Sequence, residues 1–282
     1  MKLCLLWVVI VQLLGCAGNL HKEVRLKNPD LPNKKGTILL IHGSAPFNED
    51  GNVPDARAGR YHQTNFYKFL SEELEKRSWK VVRYSKPGVY QDHIDFNIYK
   101  TTDIKVLGKQ LCQVWDTLPK NTPRLVFAWS EGSLHVATLP MNQIDGVVLL
   151  GAISTNIYDV MLSQEDNQRD SVENQLKQIL HTPRDEMLGL DRPAGRLIDE
   201  LKIHANWKTF GSLKKNVPML VLHGELDREV PLSQAMLWKD KLPEKSITLI
   251  IGKGKNHILG DGEQNGAKFI ANSIDEWWLQ RR

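Results

Sequence analysis

The chain has 282 residues, of which 41% are apolar and 25% are charged, and its formal net charge is +4. This composition is typical of a soluble globular protein, and it excludes both a disordered chain and a polytopic membrane protein. The length fits one large α/β unit with an inserted subdomain. Because the basic residues are scattered along the chain, we expect no nucleic-acid partner. The three cysteines, Cys4, Cys16 and Cys112, are too few for a disulfide framework.

The first 15 residues resemble an export signal. Met1-Lys2 is followed by an apolar run from Leu3 to Val11, which is too short to span a membrane, and then by Leu13-Leu14-Gly15-Cys16. This ending is similar to the lipobox of bacterial lipoproteins. We therefore expect residues 1–15 to be a signal peptide and Cys16 to carry lipid, palmitate included. The alternatives are plain cleavage near Ala17 and a buried first strand or helix.

Residues 16–35 are polar and include Pro29 and Pro32. We interpret them as the lipidated cysteine and a tether, with one edge strand near Val24–Leu26. The resemblance to lipoproteins implies a protein exported to the cell envelope and held on a membrane by its lipid. A neutral residue after the cysteine, here Ala17, suggests by the same resemblance the outer membrane, with the protein facing the periplasm.

From Thr37 onward, short apolar runs alternate with segments of helical period. Runs so rich in Leu, Ile and Val suit parallel strands that are buried on both faces. The helical periods lie at Phe66–Leu74, Ile104–Leu118 and Phe269–Trp278. The alternation predicts an α/β fold, a mostly parallel sheet with helices on both faces. The predicted strands are Thr37–Ile41, Trp79–Tyr84, Arg124–Trp129, Gly146–Gly151, Met219–His223 and Ile247–Ile251.

The interval between Gly151 and Val217 carries no strong apolar run and is too long for a bare loop. Gln164–Gln178 and Asp191–Trp207 have helical character. We therefore expect a helical cap insertion at about residues 153–216, within a domain that covers residues 36–282. The alternative is two ordinary crossover helices joined by a long link.

Two other features have plain structural interpretations. Cys112 lies in a segment of helical period, and we expect a small buried residue there. The acidic-to-basic segment between Asn48 and Gln63 is expected to be a solvated loop, with a place beside the binding pocket as the alternative.

The most informative segment is residues 125–133. An apolar strand enters a turn in which Ala128 and Gly132 flank Ser130 at two positions on either side, and the helix-like stretch Ser133–Leu139 follows. A nucleophilic serine on a strained strand-to-helix turn requires small residues at those positions. The pattern predicts that Ser130 is a nucleophile. The alternative, which the same turn permits, is that Ser130 caps the following helix.

A nucleophilic serine needs a base and an orienting acid, and in folds with this turn the acid precedes the histidine in the chain. Asp227 follows the fifth predicted strand and His257 follows the sixth. Both residues are therefore expected in loops at the carboxyl ends of strands, on the same rim as Ser130. Glu225 and Glu229 are the alternative acids.

The first predicted strand ends in His42-Gly43-Ser44. Gly43 permits a tight turn that aims the N–H of Ser44 inward, and the serine turn aims the N–H of Glu131. Two such donors are what an oxyanion hole requires. We expect His42 to support this loop rather than to transfer protons. The Glu131 carboxylate would oppose a developing negative charge, so we expect it to point away or to pair with a cation.

These motifs resemble the α/β-hydrolase superfamily over about residues 36–280. They are most similar to bacterial serine esterases with His-Gly-Ser-Gly-Pro, Arg-Tyr-Asp-Lys-Arg-Gly-Val and Gly-His-Ser-Glu-Gly. The chain departs from that pattern at Ala45, Ser85, Pro87, Ala128 and Trp129, which bears on the substrate and leaves the triad positions intact. The counterparts here are His42-Gly43-Ser44-Ala45-Pro46, Arg83-Tyr84-Ser85-Lys86-Pro87-Gly88-Val89 and Ala128-Trp129-Ser130-Glu131-Gly132.

The sequence therefore predicts a serine hydrolase that cleaves a small-molecule carboxylic ester through an acyl-enzyme on Ser130, with His257 as base and Asp227 as acid. No metal-like spacing of histidine and cysteine is present, and we expect neither metal nor organic cofactor. The alternatives are a thioesterase, a serine peptidase of the same fold, or a non-catalytic envelope lipoprotein that binds a ligand.

Overall fold

A computed structural model describes residues 26–27, 35–164, 168–189, 192–214, 216–242 and 246–281. The predicted signal peptide, Cys16 and most of the tether lie outside the described residues. No helix within the described ranges is long and apolar enough to cross a membrane.

The strands of the described chain form one large sheet and one small hairpin. They are β1 Leu26–Lys27, β2 Gly36–Ile41, β3 Trp79–Tyr84, β4 Arg124–Trp129, β5 Gly146–Leu150, β6 Met187–Leu188, β7 Arg192–Pro193, β8 Met219–Gly224 and β9 Ile247–Gly252. The large sheet has the order β1-β3-β2-β4-β5-β8-β9. Its six long strands run parallel, and the short β1 pairs antiparallel with β3. β6 and β7 form the antiparallel hairpin.

Helices follow nearly every strand. They are α1 Phe66–Glu75, α2 Phe96–Tyr99, α3 Ile104–Asp116, α4 Gly132–His135, α5 Ile157–Gln164, α6 Arg169–His181, α7 Ala194–Glu200, α8 Asn206–Gly211, α9 Leu232–Lys241 and α10 Glu263–Leu279. Short 3-10 turns occupy Ala56–Tyr61, Val136–Thr138 and Met141–Gln143.

The predicted parallel sheet with helices on both faces is confirmed. All six predicted strands form, each within one residue of its predicted bounds. α1 and α10 cover one face of the sheet, where Phe66 and Ile270 join the buried cluster. α3 and α9 cover the other face, where Trp115 and Trp238 are buried. Each such fully buried apolar side chain contributes about 1.5–3 kcal/mol relative to leaving it exposed.

The apolar periodicity also predicted α3. The helix begins after Asp103, whose carboxylate accepts the backbone N–H of Val106 at 2.9 Å. Cys112 on this helix is 2% exposed, and its thiol donates to the carbonyl of Thr138. The thiol is the small buried group that the sequence indicated.

The interval between β5 and β8 is helical in the structure, but it has two parts. α5, α6 and α7 share a third apolar cluster that includes Ile157, Ile179 and Leu197, together with residues that follow the carboxyl ends of β4, β5 and β8. α8 instead returns to the core, where the rings of Phe210 and Trp238 lie 4.8 Å apart. α8 thus joins the main core while α5 to α7 form a cluster of their own, and the insertion at about residues 153–216 stays a prediction.

The first part of the segment between Asn48 and Gln63 is not a solvated loop. Glu49 and Asp50 are 4% and 8% exposed. Glu49 accepts the hydroxyl of Ser85, and Asp50 forms an ion pair with Arg83 at 2.6 Å. The expectation was wrong because these partners lie on and just after β3, and the local charge pattern does not reveal them.

Candidate active site

Ser130 sits on a strained turn between β4 and α4. Its φ is +54°, a left-handed conformation that costs a non-glycine residue about 1–2 kcal/mol. A Cβ at Gly132 would lie 2.5 Å from the carbonyl oxygen of His42, so only glycine fits there. Ala128 is fully buried opposite Ile41 of β2. The N-cap position of α4 is occupied by Glu131, so Ser130 does not cap this helix.

His257 and Asp227 are joined by a hydrogen bond. His257 Nδ1 lies 2.7 Å from Asp227 Oδ2, and the other carboxylate oxygen accepts the backbone N–H groups of Glu229 and Val230 at 2.9 and 3.0 Å. His223, at the end of β8, places its Nε2 3.5 Å from Asp227 and 3.0 Å from the carbonyl of Val230. The carboxylate is therefore fixed on all sides and can hold the imidazole in one orientation.

The environment keeps Asp227 ionised. Burial on its own would raise the pKa of Asp227, but the hydrogen bond and positive charge of His257 and the N–H of Val230 outweigh it and lower the pKa. Burial lowers the pKa of His223, so this ring stays neutral beside the carboxylate. An ionised acid is what a histidine base requires when it accepts a proton.

The alternative acids do not occupy this position. Glu225 accepts the N–H of Gly254 at 2.8 Å and so braces the loop that carries His257. Glu229 lines the cavity, and its backbone N–H donates to the Asp227 carboxylate. The carbonyl of Glu229 accepts a hydrogen bond from the side-chain amide of Gln164.

Gly151 is a site residue that the sequence analysis missed. It follows β5 with a φ of +50°, and a Cβ there would lie 2.6 Å from Cε1 of His257 and 3.2 Å from Oδ2 of Asp227. The glycine therefore makes room for the imidazole. The only signal in the sequence was a glycine at the carboxyl end of a core strand, where the active-site rim lies.

Ser130 and His257 line one cavity of about 450 Å³. One wall is aromatic, and the ring of Trp129 lies 5.6 Å from that of His257. The other apolar lining residues are aliphatic, and α5 in the insertion contributes Ile157, Val160 and Met161. The apolar lining residues are Phe47, Phe66, Trp129, Ile153, Ile157, Val160, Met161, Leu226, Val230 and Ile258.

The two predicted oxyanion-hole residues, Ser44 and Glu131, also line this cavity. Among the residues that the structure describes, neither backbone N–H donates to a protein acceptor. His42, just before this loop, is buried and hydrogen-bonds through Nε2 to the carbonyl of Tyr84 at 2.5 Å. Burial and the charge of Lys86 lower the pKa of His42 to about 3, so it is a neutral support beneath the loop.

The Glu131 side chain pairs with cations, as its position suggested. It forms ion pairs with Arg192 and, at 3.3 Å, with Arg196. Burial opposes its ionisation, but the positive charges of Arg192, Arg196 and Lys86 hold the pKa of Glu131 below its usual range. Both arginines come from the insertion.

One group of side chains within the described ranges has the spacing of metal ligands. The oxygen and nitrogen atoms of Glu131, His135 and Glu200 lie within 4.8 Å of one another. Arg196 Nε lies 3.3 Å from Glu131 and 3.9 Å from Glu200, in the place where a cation would bind. His135 Nε2 lies 2.9 Å from Glu200. The group is therefore an ion-pair network that a guanidinium completes.

The family model of the prolyl oligopeptidase family matches residues 194–281, a range that holds Asp227 and His257 but not Ser130. No curated protein sequence matches the chain. Many solved structures resemble it. A thermophilic esterase from Thermogutta terrifontis has a TM-score of 0.60 at 14% identity, over 91% of this chain and 93% of that chain.

Two further structures show the same similarity. A monoacylglycerol lipase from Paleococcus ferrophilus has a TM-score of 0.58 at 19% identity, covering 92% of this chain and 100% of that chain. Mouse alpha/beta hydrolase domain-containing protein 10 has a TM-score of 0.59 at 12% identity, covering 93% and 97%. The chain has the α/β-hydrolase fold. The strained serine turn and the rim of strand ends stand where that fold carries its site.

Proposed function

We propose that the protein is a serine hydrolase that cleaves a carboxylic ester through an acyl-enzyme. The hydrogen bond of 2.7 Å between His257 and Asp227, beside the strained turn of Ser130 in one cavity, is the observation that carries this proposal. Esterases and a lipase among the similar folds support it.

The site residues divide the proposed reaction among them. His257 takes the proton of the Ser130 hydroxyl as the oxygen attacks the ester carbonyl, and later returns it to the leaving alcohol. Asp227 holds the imidazole and stabilises its cation. The N–H groups of Ser44 and Glu131 receive the oxyanion. In the second step His257 takes a proton from a water molecule that attacks the acyl carbonyl. It returns this proton to the Ser130 oxygen as the bond between serine and acyl group breaks and the carboxylic acid leaves.

The test is labelling and turnover with matched variants. A fluorophosphonate should label Ser130 alone and abolish hydrolysis of a short-chain chromogenic ester. Ser130→Ala should lose on the order of 10⁶ in rate. Ser212→Ala, which removes a hydroxyl bonded only to the nearby carbonyl of Thr209, should keep normal activity. Normal turnover by Ser130→Ala would contradict the proposal and favour a binding protein.

A serine peptidase is the second candidate, because the matched family model is that of the prolyl oligopeptidase family. The same serine, base and oxyanion donors serve an amide bond. A panel of matched substrates that share one acyl group, with ester, thioester and prolyl amide leaving groups, separates the candidates. A higher kcat/KM on the prolyl amide than on the ester would replace the esterase proposal.

We also propose that Cys16 anchors the protein by lipid to the outer membrane, facing the periplasm. This proposal rests on the sequence Leu13-Leu14-Gly15-Cys16, which lies outside the described residues. Several acyl chains bind stably because each buried CH₂ contributes about 0.8 kcal/mol. Cys16→Ser should release the protein from membranes or stall its processing. An unchanged membrane fraction and mass would contradict the anchor.

A further inference from the structure

Two buried basic side chains donate hydrogen bonds to the backbone carbonyls of the loop that carries Ser44. Lys86 Nζ donates to the carbonyl of Gly43 and, at 3.0 Å, to that of Ser44. Arg196 Nη2 donates to the carbonyl of Ser44 at 2.6 Å. Lys86 is 2% exposed and Arg196 is 0% exposed. Both carbonyls are therefore tied to groups that cannot move into solvent.

Because the peptide bond is planar, the hydrogen bond to the Gly43 carbonyl also fixes the direction of the Ser44 N–H. The Gly43 carbonyl and the Ser44 N–H belong to one peptide unit, and in a trans peptide they point in opposite directions. The described chain contains no cis peptide. Because Lys86 binds the Gly43 carbonyl, the Ser44 N–H must point away from Lys86. Ser44 lines the same cavity as Ser130, so its N–H is available on the cavity side.

The two basic groups come from different parts of the fold. Lys86 follows β3 in the core, whereas Arg196 lies on α7 in the insertion. Arg196 also contacts Glu131 at 3.3 Å and the hydroxyl of Tyr99 at 3.2 Å. One side chain from the insertion thus touches the residues that supply both predicted oxyanion donors.

The hydrogen bonds from Lys86 to the loop carbonyls do not require Lys86 to be charged. Burial and the charge of Arg196 lower the pKa of Lys86, while Glu131 and Glu200 oppose that shift. An amine and an ammonium both have N–H groups to donate, so the hold on the carbonyls persists in either state. Arg196 remains charged, because Tyr99, Glu131 and Glu200 raise its pKa against the effect of burial.

Stability alone does not explain these groups. A buried ionic network is often no more stable than well-packed apolar residues of similar volume. A role in orientation accounts better for the presence of two buried basic groups beside the loop of Ser44.

We propose that Lys86 and Arg196 are positioning residues of the loop that carries Ser44. Lys86 aims the Ser44 N–H at the oxyanion through the Gly43 carbonyl, and Arg196 fixes the next peptide unit through the Ser44 carbonyl, so the insertion takes part in assembling the catalytic site. This inference rests on the proposed function. The oriented N–H stabilises the tetrahedral intermediate more than the planar ester, so its loss affects kcat rather than KM.

The experiment measures kcat, KM and the affinity for an aliphatic trifluoromethyl ketone, whose adduct with the serine carries an oxyanion. Lys86→Met should lower kcat by on the order of 10²-fold, the usual cost of one oxyanion donor, with KM nearly unchanged. Affinity for the ketone should fall by a similar factor. Arg196→Met should behave alike, and Arg196→Lys should recover part of kcat.

The matched control is Arg83→Met, which removes a buried cation that pairs with Asp50 and does not contact the loop carbonyls. It should lower the melting temperature and leave kcat unchanged. Wild-type kcat and ketone affinity in Lys86→Met would overturn the inference. If that variant does not fold, full kcat in Arg196→Met would overturn it instead. A wild-type protein that neither turns over esters nor reacts with fluorophosphonate overturns the proposed function itself.

Discussion

Among single residues, Gly151 leaves the space that the imidazole of His257 occupies. Gly151→Ala would place a Cβ 2.6 Å from His257 and impose a positive φ on alanine. Gly59→Ala also imposes a positive φ, +57°, at a position where a Cβ would meet no described atom within 4 Å beyond its chain neighbours. Both variants should lose about 1–2 kcal/mol of stability. Only Gly151→Ala should also lose ester turnover, by on the order of 10²-fold or more, because a small displacement of a catalytic group is costly. Equal activity in the two variants would show that the imidazole does not need this space.

The identity of the acid that orients His257 can be tested with two conservative substitutions. Asp227→Asn keeps the shape but permits the wrong imidazole tautomer, so we expect a loss on the order of 10⁴ in kcat. Glu225→Gln keeps an acceptor for the N–H of Gly254 and should retain most activity. The reverse order of effects, measured as kcat on one ester at one pH, would assign the acid to Glu225.

At the scale of elements, α5 contributes Ile157, Val160 and Met161 to the cavity, and we expect it to control the length of acyl chain accepted. Met161→Trp adds volume there. We expect kcat/KM for long-chain esters to fall at least about 10-fold relative to short-chain esters, because one methylene in a fitted pocket is worth about 1–3 kcal/mol. Leu180→Trp, on α6 at a position 60% exposed, is the control and should leave the ratio unchanged. An unchanged ratio in Met161→Trp would remove α5 from the acyl site.

The elements also show what a sequence can predict. The six parallel strands were predictable because burial on both faces leaves an apolar run with few interruptions. Ser130, Asp227 and His257 could be expected on one rim because each follows such a strand, and the structure brings them together there, while their catalytic roles stay a prediction. The anchoring of Glu131 by Arg196 was not predictable, because residues 65 positions apart carry no local sign of contact. The burial of Glu49 and Asp50 was not predictable from the sequence for the same reason.

For the whole molecule, buried His42 predicts an acid-dependent loss of stability. Its pKa is about 3 in the folded protein and 6.5 without burial. The unfolded chain therefore binds the proton first as pH falls, so the contribution of His42 is complete above about pH 6.5 and declines toward pH 3. One such proton changes the free energy of unfolding by at most about 1.4 kcal/mol per pH unit. His42→Gln should show a shallower decline in urea denaturation over this range. The same slope in both proteins would contradict the prediction.

The ion-pair network under Ser44 has a consequence for the order in which the protein can be made. Synthesis proceeds from the N-terminus, and β2 to β5 with Lys86 and Glu131 leave the ribosome before α7 exists. A buried carboxylate without its partner is strongly unfavourable. Closure of the strands over an ionised Glu131 is therefore unfavourable until Arg196 is available, and we expect the loop of Ser44 to reach its final form late. The proposed catalytic site is therefore completed only after the insertion has been synthesised.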